Sequence, residues 1–372
     1  MSNTEELANG ELLVEVRNHV AHLTLNRPAQ LNALSLGMLG AMAGLFARWA
    51  NDGNIRAVVV CGAGEKAFCA GGDIRALRDS ALSGSTLHHD FFIAEYALDY
   101  QLHRFVKPCI SLLDGIVMGG GMGISQGSGF RIVGPRTRMA MPETGIGLFP
   151  DVGGSYFLSR ATAPLGLYLG LTGHAIKAAD ALYAGLADRY MTAAAIAEMF
   201  VRLDRLLWTR DPGRDVARLI DALASTPPQS PALLPLRQII SRHFAIDHAV
   251  ADMIASLENE TALEHRDWAR STAALLKKRS PTMLEVTHEE IRRGASLSLA
   301  DCFRMELGIV FHCFAHADMM EGIRASIIDK DNEPRWKPAT LAELDRAAVD
   351  GFFAPRWDPS VHPLANLERQ FG

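Results

Sequence analysis

Two short apolar runs constrain this chain more than any other feature. "IRAVVVCG" (55–62) and "KPCISLLDG" (107–115) are almost wholly apolar and lack the polar alternation of a half-exposed strand. Runs of this kind are strands of a sheet covered on both faces. A helical pattern from about Thr86 to Phe105 separates them. Upstream, "ELLVEVRNHVAHLTLNRP" (11–28) alternates on both sides of "RNH" and reads as a hairpin ending at Pro28. "SLGMLGAMAGLFARWAND" (35–52) has helical apolar spacing, a Ser35 cap and a stop at Gly53. "GEKAFCAGGDI" (64–74) reads as a glycine-bearing loop, while "FRIVG" (130–134) and "RMAMPE" (138–143) read as further short strands. Strand and helix alternate, so the expectation is an α/β fold with a mainly parallel sheet.

The pattern turns helical from about Ala161 onward. "STPPQSPALLP" (225–235) reads as a bent connection, and "IDKDNEPRWKP" (328–338) as a polar segment stopped by proline. The expected organisation is an α/β core over 10–205, a helical region over 206–345 and a tail over 346–372.

Composition narrows the function classes. The formal net charge of −5 argues against nucleic acid, so an anionic ligand needs a local cationic patch. Five scattered cysteines with no C-x-x-C spacing suit a reducing compartment. The opening "MSNTEELANGELL" is acidic and polar, unlike a secretory or basic transit segment. No 18-residue apolar run is present. A cytoplasmic protein with no membrane span is expected. Thirteen histidines lie without paired ligand spacing, so no metal is expected.

"MGGGMGISQG" (118–127) contains G-x-S-x-G, the written form of a serine-hydrolase elbow. An elbow needs a strand running straight into the turn, and "CISLLDG" ends about ten residues before Ser125. A small residue on a buried helix is the better reading of Ser125. The glycines themselves carry a second reading. "CAGGD" (69–73) and "GGG" (119–121) each follow a buried strand, and ligands of open α/β sheets bind at strand carboxyl ends. One N–H from each segment could form an oxyanion hole; ordinary tight turns are the alternative. Neither run matches a phosphate or dinucleotide motif. In "MPETGIGLFPDVGG" (141–154), Glu143 and Asp151 sit among apolar residues that would raise their pKa values, unless they are a capping or solvated pair. Cys69 has no evident activating partner and reads as a small buried residue.

In order and spacing, "NRPAQLNALS", "KAFCAGGDI", "GIVMGGGMG" and "MPETGIGLFPDVGG" resemble the crotonase (enoyl-CoA hydratase/isomerase) superfamily. Ala94-Glu95-Tyr96 and "EGIRASIIDKDNEPRWKP" (321–338) are more similar to its 3-hydroxyisobutyryl-CoA hydrolase branch. The resemblance runs from about Leu12 to Pro338. It implies a spiral of ββα units with a helical C-terminal region. It also implies hydrolysis of a short 3-hydroxyacyl-CoA thioester, with coenzyme A as part of the substrate and no other cofactor. The implied site has Glu143 and Asp151 as catalytic carboxyls and the Ala70 and Gly120 N–H groups as oxyanion hole. Glu95, Gly71, Gly72 and Asp73 are implied substrate contacts; Arg27, Leu31 and Lys330 are implied coenzyme A contacts. Superfamily relatives often form trimers or paired trimers, which implies a homo-oligomer unless the helical C-terminal region covers that surface. One departure matters: where the superfamily's hydratases carry a second catalytic glutamate after the glycine triplet, this chain has Gly123. That favours thioester hydrolysis over hydration.

Overall fold

A hairpin begins the main sheet in this computed structural model, which describes residues 4–371. Strands β1 (Glu5–Leu7), β2 (Leu12–Arg17) and β3 (Val20–Leu25) pair antiparallel. The two-residue turn between β2 and β3 places Asn18 and His19 at φ 42° and 67°, the positive angles that suit the twist of a tight hairpin. From β3 the sheet continues in parallel through β4 (Ala57–Gly62), β6 (Cys109–Leu113), β8 (Phe130–Val133) and β10 (Arg189–Tyr190). A second parallel sheet holds β5 (Ala67–Cys69), β7 (Ile116–Met118) and β9 (Arg138–Ala140), with β7 central.

The two sheets are built in step. β4, β6 and β8 each enter the large sheet, and the chain then gives a three-residue strand to the small one before moving into helix or turn. This is the expected ββα spiral. It corrects two readings of the sequence: "KAFC" holds a strand within what reads as a loop, and an unread strand, β7, runs directly into the glycine segment. Three residues are too few to show a period, and β5 is irregular between Ala67 and Cys69.

Helix α1 (Leu36–Asn51) starts where Ser35 accepts the Met38 N–H at 3.1 Å. The helices α2 (Ile74–Ser83), α3 (Leu87–His103) and α4 (Gly120–Gln126) follow strands of the small sheet. Next come α5 (Gly154–Ser159), α6 (Leu165–Thr172), α7 (Ala178–Ala184), α8 (Ala193–Asp204) and α9 (Pro212–Leu223). The large sheet is covered on both faces. Val58 and Val60 of β4 join the main core with Phe46 of α1, while Ala57 and Val59 join Met199, Leu203, Val216 and Ile220 of α8 and α9. Side chains alternate across a strand, so both faces of β4 must be apolar. This is why its sequence shows no polar alternation.

The remaining helices are α10 (Arg237–His243), α11 (Val250–Glu258), α12 (Leu263–Leu276), α13 (Pro281–Gly294), α14 (Leu299–Ala315), α15 (Ala317–Ile323), α16 (Arg346–Phe352) and α17 (Leu367–Phe371). They share the main core: Phe303 of α14 meets Tyr96 of α3 with ring centroids 5.8 Å apart. No helix among the described residues is long and apolar enough to cross a membrane.

The approach of α4 to β5 fixes how the sheets and helices meet. A Cβ at Gly121 would overlap the Cys69 carbonyl and lie 3.0 Å from the Cys69 carbonyl carbon. Backbone cannot swing aside as a side chain can. Gly121→Ala is therefore expected to lower stability by about 1–3 kcal/mol, read as a reduced midpoint in urea unfolding. An unchanged midpoint would contradict this packing.

Candidate active site

The three strands of the small sheet end at one edge, and each runs into a segment that lines the same cavity. β5 leads to Ala70, Gly71 and Gly72, β7 to Gly119 and Gly120, and β9 to Pro142 and Glu143. The cavity encloses about 190 Å³ and is closed by Phe91, Phe92 and Glu95 of α3, by Leu148 and Asp151, and by Ile327. The glycine readings thus converge at the strand carboxyl ends. The edge belongs to the small sheet rather than the large one.

Glycine is required here for space. A Cβ at Gly119, which has φ +50°, would sit 2.9 Å from Glu143 Oε1, and one at Gly120 would overlap Glu95 Oε1. Gly71 has φ +101° and brings its chain against Gly120, with 3.3 Å from its absent Cβ to the Gly120 nitrogen. At Gly123 a Cβ would lie 2.6 Å from Asp99 Oδ2 and 2.7 Å from the Val152 Cβ. No side chain, and so no glutamate, fits at 123 beside Asp99 and Val152.

The N–H groups divide differently from expectation. The Ala70 N–H is not free; it donates to the Leu31 carbonyl at 3.0 Å. The structure therefore corrects the Ala70 assignment. In the same segment, the Gly72 N–H has no acceptor among the described residues, and neither has that of Gly120 at the first position of α4. The neighbours of Gly72 are pinned: Leu34 N–H donates to the Gly71 carbonyl at 2.8 Å, and Asp73 N–H to the Leu34 carbonyl at 3.0 Å.

Asp73, Arg27 and Leu31 also have other uses. Asp73 caps α2 by accepting the Ala76 N–H, and its other oxygen meets the Arg27 guanidinium at 3.0 Å. Arg27 further meets Glu11 at 3.1 Å and donates to the Ala33 carbonyl. None of the three lines the cavity. They hold the CAGGD loop in place, and the Arg27 charge is already neutralised. Lys330 is exposed, three residues beyond cavity-lining Ile327.

Three carboxyls face the cavity, each buried: Glu95, Glu143 and Asp151 are 2%, 5% and 4% exposed. Burial raises the Glu143 carboxyl well above the ordinary range, and the Asp151 charge raises it further. The same two causes act on Glu95, with Glu143 adding a third. Asp151 is pushed up only to about 7, because the Tyr96 hydroxyl donates to its Oδ2 at 2.7 Å and opposes the effect of burial. Glu143 Oε2 and Glu95 Oε1 have no hydrogen-bond partner and are available to a ligand. Among the described residues no cluster of His, Cys, Asp and Glu has metal-holding geometry.

Two residues that sequence reasoning missed support this trio. Glu306 of α14 accepts the Gly153 N–H at 2.7 Å and the Ser155 N–H at 3.0 Å, fixing the turn that follows Asp151. Its only trace in the sequence is a lone acid among the apolar positions Phe303, Leu307 and Val310. Tyr96 lies in the quoted Ala94-Glu95-Tyr96 segment, but its bond to Asp151 spans 55 residues. Two nucleophile candidates fall away. Ser125 is the sixth residue of α4, fully buried, and its hydroxyl donates to the Met122 carbonyl at 3.0 Å. The buried Cys69 thiol is pushed up to about 12, where no thiolate forms at neutral pH.

Fold and site together define a protein of the enoyl-CoA hydratase/isomerase class. The family described as Enoyl-CoA hydratase/isomerase matches residues 20–353, and the chain belongs to it. Within that family, it is 39% identical over 352 residues to a Danio rerio protein named "3-hydroxyisobutyryl-CoA hydrolase, mitochondrial", covering 93% of this chain and 90% of the relative. It is 38% identical to an Arabidopsis thaliana protein named "Probable 3-hydroxyisobutyryl-CoA hydrolase 3", covering 97% of both. Among solved structures, one titled carnitinyl-CoA dehydratase from Mycobacterium thermoresistibile is 41% identical with a TM-score of 0.85, covering 93% of this chain and 97% of that one.

The buried acids make stability fall with rising pH. An unfolded chain releases carboxyl protons near about 4, whereas the folded chain holds them to about 7 at Asp151 and about 8 at Glu306. Their contribution is complete below about 4 and is lost as pH rises through these values, by about 1.4 kcal/mol per pH unit per acid. Glu290 of α13 is fully buried with neither carboxyl oxygen partnered, and its pKa is also raised by burial. Urea unfolding at a series of pH values should give decreasing stability from pH 5 to pH 7, with a shallower slope in Glu290→Gln. A flat or rising profile would contradict the burial of these groups as acids.

Proposed function

We propose that this protein hydrolyses a short 3-hydroxyacyl-CoA thioester, with 3-hydroxyisobutyryl-CoA as the preferred substrate. The observation that carries the reading is one small cavity holding two free N–H groups, Gly72 and Gly120, beside Glu143 and Asp151. A thioester oxygen held between those N–H groups has its developing negative charge stabilised by donors already in position. Either a water attacks the carbonyl carbon as Glu143 takes its proton, or Glu143 attacks it and a water then hydrolyses the resulting anhydride, releasing the acid and restoring Glu143. In both routes the C–S bond breaks, and the coenzyme A thiolate leaves with a proton supplied through Asp151. Glu95, with its free Oε1 on the opposite wall, accepts the substrate's 3-hydroxyl. The names of the full-length relatives support the same substrate.

Hydration on the same fold is the competing reading, favoured by the dehydratase and hydratase titles of similar structures. Water addition in this superfamily uses a second glutamate at the position of Gly123. Here Asp99 and Val152 fill the space such a side chain would enter, and this weighs against hydration.

For the rest of the coenzyme A moiety, Lys330 and Arg75 are proposed as phosphate contacts. Arg75 is exposed beside cavity-lining Ile74 and donates to the Ile327 carbonyl at 3.2 Å. The five free cysteines support a reducing compartment, and we propose the cytoplasm. The vertebrate relatives are named mitochondrial, so cell fractionation decides between cytosol and matrix.

The test is thiol release from 3-hydroxyisobutyryl-, 3-hydroxypropionyl-, isobutyryl- and acetyl-CoA, followed with a disulfide dye. Fast release from the hydroxylated pair is expected, with Glu143→Gln reduced by ~10²–10³ while coenzyme A still binds. Consumption of crotonyl-CoA with no thiol release from any of the four would replace hydrolysis by hydration.

A further inference from the structure

Arg279 stands out among the described residues as a cation acting on Glu143 that no expected role accounts for. It lies between α12 and α13, far in sequence from Glu143, and is half-buried. Its guanidinium donates to the carbonyl of Thr172, the last residue of α6. That carbonyl belongs to the negative end of a helix. The Nε atom is buried without a partner, and no carboxylate lies within ion-pair distance of the group among the described residues. The guanidinium sits so close over Gly145 that a Cβ there would overlap Nη1. Gly145 belongs to the short 3₁₀ turn Glu143–Ile146 that carries the catalytic carboxyl.

The same turn is tied to Arg279 through its neighbours. Ser280 N–H donates to the Thr144 carbonyl at 3.2 Å, and the Thr144 hydroxyl to the Leu171 carbonyl at 3.1 Å. The turn is thus held between the end of α6 and the start of α13, with the Arg279 guanidinium against Gly145. The Asp151 charge raises Glu143, and Glu143 in turn raises Glu95 across the cavity and Glu290 of α13; His174 follows the Thr172 carbonyl that Arg279 holds. Asp318 of α15 is occupied by the Ser280 hydroxyl and the Lys337 N–H.

We infer that Arg279 is a positioning residue that favours the charged form of Glu143. Crowded carboxyls in one dry cavity lose their protons stepwise, and the first charge goes where a donor or cation favours it. The Tyr96 hydroxyl draws that charge to Asp151. Arg279 opposes this at Glu143, the carboxyl beside Gly119, by favouring its charged form. The inference deepens the proposed hydrolase mechanism and rests on its assignment of Glu143 as the reactive carboxylate.

The test compares Arg279→Met, Arg279→Lys and Gly145→Ala with the parent protein. The first readout is the carbon-13 NMR titration of the Glu143 carboxyl, assigned by its loss in Glu143→Gln. Removing a cation from beside a carboxylate should raise the Glu143 titration by about one pH unit in Arg279→Met. Arg279→Lys should keep most of the original value. Gly145→Ala, which displaces the guanidinium but retains its charge, should shift the titration upward by less. The second readout is kcat for thiol release near pH 7. It should fall about tenfold in Arg279→Met, with little change in KM, and recover as pH rises. A Glu143 titration unmoved in a folded Arg279→Met overturns the inference, as does an equal kcat loss at every pH in both Arg279 variants. The NMR titration reads Glu143 without turnover, so absence of thiol release in the parent protein would count against the hydrolase reading alone.

Discussion

The glycine-rich start of α4 is the constraint on which the rest of the site depends. Four glycines there each admit a different neighbour: Glu143 at Gly119, Glu95 at Gly120, the Cys69 backbone at Gly121, and Asp99 with Val152 at Gly123. Without these approaches, the small sheet could not bring three loops to one edge, and the α3 carboxyls could not lie against α4. Glu95 and Asp99 are four residues apart on α3 and therefore share a helix face. They pack against Gly120 and Gly123, three apart on α4. Two acids against two glycines form this crossing, where apolar side chains would ordinarily interdigitate.

That arrangement is unfavourable by itself, since a buried carboxyl gains little without hydrogen-bond partners. Asp99 and Glu290 are fully buried and both oxygens of each are unpartnered. The site persists because the C-terminal helices enclose it. Glu306 of α14 fixes the turn after Asp151, Phe303 packs on Tyr96, and Arg279 backs the Glu143 turn. The helical region and the α/β part therefore share one core, and the helical region encloses the site. Acids held above their ordinary range in a water-poor pocket are suited to proton transfer near neutrality.

How much of this was legible in the sequence depended on the length of the signal. Strands β2, β3, β4 and β6 and helices α1 and α3 fall within two or three residues of expectation, because each carries an alternating pattern, an unbroken apolar run or helical apolar spacing. The three-residue strands β5 and β7 were not legible, although they aim the loops that line the cavity. Within the CAGGD loop the resemblance pointed to the Ala70 amide, which the Leu31 carbonyl occupies. Which N–H is free depends on the Leu31 carbonyl, and peptide orientation leaves no mark in composition. Arg27 and Asp73 were both expected near ligand; their mutual ion pair joins residues 46 apart and has no local signature. Tyr96, Arg279 and Glu306 act across equally long separations. The fold class and the two main carboxyls could be read from motifs, whereas the groups that tune them could not.

The most direct test is a crystal structure of Glu143→Gln with intact 3-hydroxyisobutyryl-CoA. The account predicts the thioester oxygen about 3 Å from both the Gly72 and Gly120 nitrogens, with the 3-hydroxyl on Glu95 and the carbonyl carbon facing residue 143. A thioester oxygen bonded away from these two amides, or an acyl group lying outside the cavity, would contradict it.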